Sequence, residues 1–238
     1  MGRSRVEYAT DQITVYKPPC PFKCRYCFWN VPLMRARAER IDPRPIEEAI
    51  AYARSGVRRT IVVSFTTDPY PYVEQRNRLT RKVLEILSGT RHRVLILTKN
   101  PKLALRDLDL MVRNNDVWLG TTITYLYDNN LLEPYAPPAS KRLEALYEAH
   151  EEGVKTWISI EPILPPMTNV REIVEATSDF VDWYVLGAFN YAKQLRLPEP
   201  SRKDYLEVLI PGLEALRDAG KKYLVKRELR ELFPRLFA

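Results

Sequence analysis

The sequence predicts an α/β fold, a partial (β/α)6 barrel, on three observations. Six short apolar, β-branched runs alternate with helical stretches along 238 residues. Such near-continuous apolar runs suit strands of a parallel sheet covered by helices on both faces. Each run ends in polar, chemistry-bearing residues, at the end of the sheet where parallel α/β folds place their sites. In two runs the alternate residues are polar on one face, which points to an occupied polar interior. That favours a barrel over the alternative, a doubly wound open sheet.

The first strand, ITVY (13–16), runs into Lys17-Pro18-Pro19 and the loop CPFKCRYC. A helix over 43–56 opens on prolines and stops at Gly56, the asymmetry helices prefer. The second strand, TIVVSFTT (60–67), delivers Thr66, Thr67 and Asp68, and LTRKVLEILSG (79–89) returns as a helix with a glycine cap. RVLILTKN (93–100) ends at Lys99. VWLGTTIT (117–124) puts Gly120, Thr122 and Thr124 on one face, opposite Leu119 and Ile123. The helix over 141–153 closes on Gly153. KTWISIEP (155–162) sets Trp157, Ser159 and Glu161 opposite Ile158 and Ile160. A helix over 169–180 precedes DWYVLGAFN (182–190), which ends in Asn190. The last helix, 202–220, contains Pro211, expected to bend or split it.

With 45% hydrophobic and 28% charged residues, the chain reads as one globular domain, 1–238, with 192–238 a C-terminal extension closing the barrel. No run approaches the ~18–20 apolar residues of a membrane span. The N-terminus lacks a secretory signal's apolar core, so a cytoplasmic, reducing compartment is expected. There, clustered thiols serve metals or redox chemistry rather than disulfides. The net charge is +7, and residues 221–238 hold six basic side chains against two acids. Two readings of that tail stand side by side. It contacts a polyanion such as nucleic acid, or it is the solvated face of a helix that packs Leu224, Leu229, Leu232 and Phe233.

Cys20, Cys24 and Cys27 are the chain's three cysteines. Three thiolates cannot complete a tetrahedral structural zinc site, and the two histidines, His92 and His150, lie far along the chain. Three thiolates do fit a [4Fe–4S] cluster with one iron left open. A zinc knuckle short of a ligand and adventitious thiols are the alternatives.

The spacing C-x3-C-x2-C, with Tyr26 before the last cysteine, resembles the signature of the radical S-adenosylmethionine (SAM) superfamily. Beyond it, SFTTDPYPYVEQRNRLTRKVLEIL (64–87) and residues 132–167 resemble the branch that contains spore photoproduct lyase. VDWYVLGAFNY (181–191) is similar to small radical SAM proteins, some phage-borne. The resemblance spans about residues 13–191 and implies a TIM-like partial barrel of the radical SAM type. It implies a [4Fe–4S] cluster on Cys20, Cys24 and Cys27 whose open iron chelates SAM, and reductive cleavage to a 5′-deoxyadenosyl radical. A flavodoxin- or ferredoxin-type electron donor follows, with no membrane partner.

Carried over residue by residue, Tyr26 lies against the adenine, and Thr66, Thr67 and Asp68 meet the SAM amino group. Lys99 pairs with the carboxylate, and Thr122 and Thr124 bond the ribose. Glu161 faces inward to the ligand, Asn190 and Tyr191 border the adenine or substrate, and Lys226 closes the open side. Plainer roles compete: Asp68 as a turn former before Pro69, Lys99 as a surface lysine, and the threonines as β-branched packing. The chain departs from spore photoproduct lyase in having no further cysteine to return a hydrogen atom, so that repair cycle is not expected. The substrate is open, with nucleic acid favoured. A function of another class, a non-catalytic iron–sulfur or zinc-binding module that regulates or binds nucleic acid, would not need the polar strand ends.

Overall fold

The computed structural model describes residues 2–4, 6–38, 40, 42–128 and 131–237. Its strands are β1 (Gly2–Arg3), β2 (Asp11–Ile13), β3 (Thr60–Val63), β4 (Arg93–Leu97), β5 (Val117–Thr122), β6 (Thr156–Ile160), β7 (Trp183–Leu186) and β8 (Lys222–Val225). They form one sheet in sequence order. β1 pairs antiparallel with β2, and β2 to β8 are parallel throughout. Seven parallel strands with helical crossovers curl into a half-barrel, an α/β fold of the partial TIM-like kind the sequence predicts.

Outward-facing residues such as Ile61, Val63, Ile96, Leu119, Ile158 and Ile160 pack under the helices. Each such side chain, fully buried, contributes about 1.5–3 kcal/mol. The helices Pro45–Ala53, Leu79–Leu87, Ala139–Glu151, Val170–Thr177 and Arg202–Asp218 fall where the apolar periodicity puts them. Asn169 caps the fourth, accepting from the Glu172 N–H at 3.2 Å. Ser201 and Asp204 form a reciprocal capping box on the fifth.

Several expectations change. Arg202–Asp218 runs unbroken through Pro211. Its next residue, Gly212, lies against Val170, where a Cβ would come within 2.3 Å of Val170 Cγ1, and this close helix–helix seam holds both halves in line. The strands are shorter than their apolar runs. β3 stops at Val63 because Ser64 turns to φ +57°, and its Oγ accepts from the Val15 N–H at 3.0 Å. β2 is Asp11–Ile13 rather than 13–16, since its ladder partner ends there. β8 lies inside the basic tail, where exposed Lys222 and Tyr223 hide its alternation.

The interior is tiered, not uniformly polar. The half nearer the strand N-termini holds Val62, Leu95, Trp157 and Val185, packed by Tyr8 from the N-terminal loop. Trp157 lies in the gap left by Gly120, where a Cβ would fall 2.3 Å from its Nε1. Polar residues line only the C-terminal half. At the open seam, Glu7 accepts from the Arg227 N–H (2.6 Å) and from Arg230 Nη2 (2.8 Å), tying the two chain ends together. Leu229 and Phe233 are buried and Leu224 and Leu232 partly so, which gives the tail a packed face. No helix among the described residues is long and apolar enough to cross a membrane.

Candidate active site at the barrel mouth

The cysteine loop leaves β2 at the C-terminal end of the barrel. Phe22, Cys24 and Tyr26 are buried with Ala136, Leu164, Phe189 and Ala192. Lys23 at φ +48° reverses the chain between the first two thiols. The Arg25 N–H donates to Leu132 O (2.8 Å), and Asn30 Nδ2 donates to Cys24 O (2.8 Å), so backbone bonds fix the loop from both sides.

Burial pushes the Cys20 thiol up to about 11, with the Asp68 carboxylate adding to it. Burial pushes Cys24 up to about 12, opposed by Lys99 and reinforced by Glu133. Cys27 is raised by burial too, against the Trp29 backbone and Lys99. Each thiol therefore holds its proton at neutral pH until a metal displaces it. Cys24 feels both other thiols, which places the three together. Among the described residues no three His, Cys, Asp or Glu converge on a single ion. A structural zinc site takes four such donors, whereas three thiolates suffice for a [4Fe–4S] cluster with one iron open. His92 is spent elsewhere, accepting from the Arg59 N–H (3.1 Å) with its other nitrogen 2.9 Å from Tyr52 O. The donor set thus fits a cluster better than a lone zinc ion.

Behind Cys24 sits a charged network that sequence reasoning missed. Burial alone would raise the Glu133 carboxyl, but Lys99 and Arg142, with bonds from Arg142 and the Tyr26 hydroxyl, hold it at about 2. Arg142 is itself buried, donating also to Thr122 O (3.0 Å) and Pro137 O (2.7 Å). Lys99 Nζ is 2.9 Å from Glu133 Oε1 but lacks hydrogen-bond geometry, and lies 5.4 Å over the Tyr26 ring. Nζ itself is shielded from solvent. The signal for Glu133 was its place in LEPY, inside the 132–167 stretch; nothing local announced its partners.

Asp68 is buried and occupied. Its Oδ1 accepts from the Tyr70 N–H (2.8 Å) and Thr98 Oγ1 (2.6 Å), and its Oδ2 from the Lys99 N–H (2.7 Å). It straps the second loop to the end of β4. Thr67 donates to Tyr16 O (2.9 Å), tying that loop to the first, and Thr66 is half-buried. Thr122 and Thr124 are buried at the end of β5, and the Thr124 hydroxyl has no hydrogen-bond partner. Across the barrel, Glu161 accepts from Lys226 Nζ at 2.5 Å, and Lys226 also reaches Glu228 at 3.3 Å. Gly187 leaves room for Glu161, whose Cδ would lie 2.8 Å from a Cβ there. Asn190 is exposed, its Nδ2 3.5 Å from Glu228 Oε1, and Tyr191 is half-buried. Among the predicted residues, Asp68 is thus tied to Lys99, Lys99 lies over Tyr26, and Glu161 pairs with Lys226, with Asn190 reaching Glu228 beside that pair.

Fold and site define a half-barrel with a three-thiol loop after its first parallel strand and polar groups lining the same end. Residues 16–180 match the radical SAM superfamily, and the chain belongs to that superfamily of enzymes. Superfamily membership implies SAM and an iron–sulfur cluster as cofactors. An uncharacterised protein of Methanocaldococcus jannaschii is 31% identical over 179 residues, 74% of this chain and 65% of that protein. An uncharacterised protein of Acidianus two-tailed virus is 34% identical over 146 residues, 59% of this chain and 47% of the relative. The chain thus spans less than two thirds of each relative's length. SuiB of Streptococcus suis bound to precursor peptide SuiA superimposes with a TM-score of 0.69 at 13% identity, covering 95% of this chain and 51% of that one. A spore photoproduct lyase variant with dinucleoside spore photoproduct gives 0.67 at 15% identity, covering 90% and 80%. At those identities the likeness is one of fold.

Proposed function

We propose that this chain is the core of a radical SAM enzyme that abstracts hydrogen from its substrate. Cys20, Cys24 and Cys27 would hold three irons of a [4Fe–4S] cluster, and the polar half of the barrel would hold SAM. When bound and reduced by one electron, that pair supplies a 5′-deoxyadenosyl radical. The observation that carries the reading is a loop of three thiols, the chain's only cysteines, with Lys99 near Cys24 and a buried Thr124 hydroxyl that lacks a hydrogen-bond partner.

Each side chain then has a task. Lys99 offers its ammonium to a carboxylate, and Glu133 keeps that ammonium at the mouth while Arg142 anchors Glu133. Thr124 and Thr122 offer hydroxyls to a ribose, and the buried Tyr26 forms a wall for the adenine. Asp68 acts by holding the Lys99 backbone and the Thr66–Thr67 loop in place, because its oxygens already accept three bonds. Glu161 fixes Lys226 over the open side of the barrel, with Asn190 at the rim facing substrate. Burial of the thiols and an apolar floor keep water away from the reacting atoms. Electrons would come from a flavodoxin- or ferredoxin-type donor in the cytoplasm. Nucleic acid is the favoured substrate class, supported by the net charge and the sequence likeness to the spore photoproduct lyase branch.

Anaerobic reconstitution with iron and sulfide tests this. A brown protein that releases 5′-deoxyadenosine from SAM on addition of dithionite is the expected result. A brown protein that never cleaves SAM would favour the non-catalytic iron–sulfur module, and a colourless zinc protein would overturn the cluster itself.

A further inference from the structure

Three of the six cations in the C-terminal tail are already paired; among the described residues Lys221, Lys222 and Arg235 are in no ion pair. There, Lys226 is spent on Glu161 and Glu228, Arg230 on Glu7, and Arg227 lies 3.5 Å from Glu231. From Gln12 to Ala38, by contrast, the chain carries Lys17, Lys23, Arg25, Arg35 and Arg37 and no acid. All five are exposed. Among the described residues none of them is in an ion pair; Arg35 Nε reaches only Trp29 O (3.4 Å), and Lys23 lies 5.3 Å over the Tyr135 ring. This charge sits on the cysteine loop and the helix Pro32–Ala38 that follows it.

Beside the cysteine loop stand solvent-facing rings, Lys23 lying over Tyr135 and Phe22 against Tyr72. Tyr72, Tyr127 and Tyr135 are 57%, 49% and 56% exposed, unusual for tyrosines so close to a buried centre. Tyr72 packs edge-on against Phe22 of the cysteine loop at 5.8 Å, and its hydroxyl donates to Tyr135 O at 3.3 Å. Between Tyr72, Tyr135 and the prolines 137 and 138 lies an open depression of about 560 Å³. Of the acids nearby, Glu133 is buried between its cations, and Asp128 lines the depression, its carboxylate accepting from the Ser140 N–H and Oγ (3.2 and 2.9 Å).

We propose that this lip binds single-stranded nucleic acid, the cations tracking phosphates and the tyrosines stacking unpaired bases, so that a nucleotide is presented to the mouth. The inference rests on the radical SAM reading of the mouth and names its substrate class. Cations interleaved with exposed rings are what a single strand requires, whereas duplex bases offer no free face for stacking.

The test titrates cluster-loaded protein into a fluorescent oligothymidylate under anaerobic conditions at several salt concentrations. Five engaged cations give a log–log slope of roughly −3.5, at about 0.7 per phosphate on a single strand. Arg35→Gln with Arg37→Gln should flatten the slope by roughly 1.4. Tyr72→Ala or Tyr135→Ala should weaken binding roughly five- to a hundredfold while leaving the slope alone. Lys221→Gln with Lys222→Gln should change neither. A flat slope in the parent, a slope that follows the tail variant, or duplex binding as tight as single-strand binding would each overturn the proposal. So would displacement by polyglutamate as effective as by unlabelled oligonucleotide. SAM cleavage is scored separately: cleavage without binding overturns the lip alone, and binding without cleavage overturns only the enzyme reading.

Discussion

Replacing Glu133 with Gln removes one negative charge from between two buried cations and leaves the side-chain volume almost unchanged. In the parent, Lys99 and Arg142 hold this carboxyl at about 2, against an ordinary value of 4.5. At about 1.36 kcal/mol per unit, that difference corresponds to stability on the order of 3 kcal/mol. The range for breaking a buried ion pair from one side, about 3–5 kcal/mol, agrees. Because the folded-state value lies below the unfolded one, the contribution is fully present above about pH 4.5 and is lost as pH falls toward 2. Urea titrations of the metal-free protein, followed by circular dichroism, should therefore show Glu133→Gln less stable than the parent by roughly 3 kcal/mol at pH 7. The two should converge as pH is lowered through that window, so the variant's acid limb is the flatter one. A variant within about 0.5 kcal/mol of the parent at pH 7, the scatter expected of a surface substitution, would refute the account of Glu133 as the charge that holds Lys99 and Arg142.

Cys20→Ala, Cys24→Ala and Cys27→Ala should each abolish cluster assembly, because the chain holds no other thiol to replace a thiolate; a full iron complement in any one of them contradicts the assignment. Gly120→Ala would force a Cβ to 2.3 Å from the Trp157 ring, which is fully buried and donates to Ile96 O at 3.1 Å. The expected cost is about 1–3 kcal/mol in urea unfolding, and an unshifted midpoint would mean the ring moves freely. Asp68→Ala and Lys99→Ala should separate: the first strands three donors and costs stability, about 1–3 kcal/mol for each left unsatisfied, whereas the second mainly weakens SAM binding. Equal loss of SAM affinity with no loss of stability in both would show that Asp68 touches the cofactor directly.

Local chemistry made much of this protein legible. The alternation of β-branched runs with helical periodicity depends on side-chain geometry within a few residues, so six of the seven parallel strands and five crossover helices could be read in order, while β8 and the helical crossover between β4 and β5 could not. The cysteine triad is visible for the same reason, since all three thiols lie within eight residues. Tertiary structure decided what depends on partners brought from elsewhere. Asp68 looks free in the sequence and is consumed by groups some 30 residues away. Glu133 looks like a loop acid and becomes the hub of a buried network. Trp157 shares a face with Ser159 and Glu161, yet it fills the barrel floor because Gly120, on the neighbouring strand, makes room for it. Arg230 in the tail is met by Glu7, 223 residues earlier, because curling of the sheet brings its two edges together. Charge and hydrogen-bond satisfaction are properties of spatial neighbours, and only the curled sheet determines which neighbours those are.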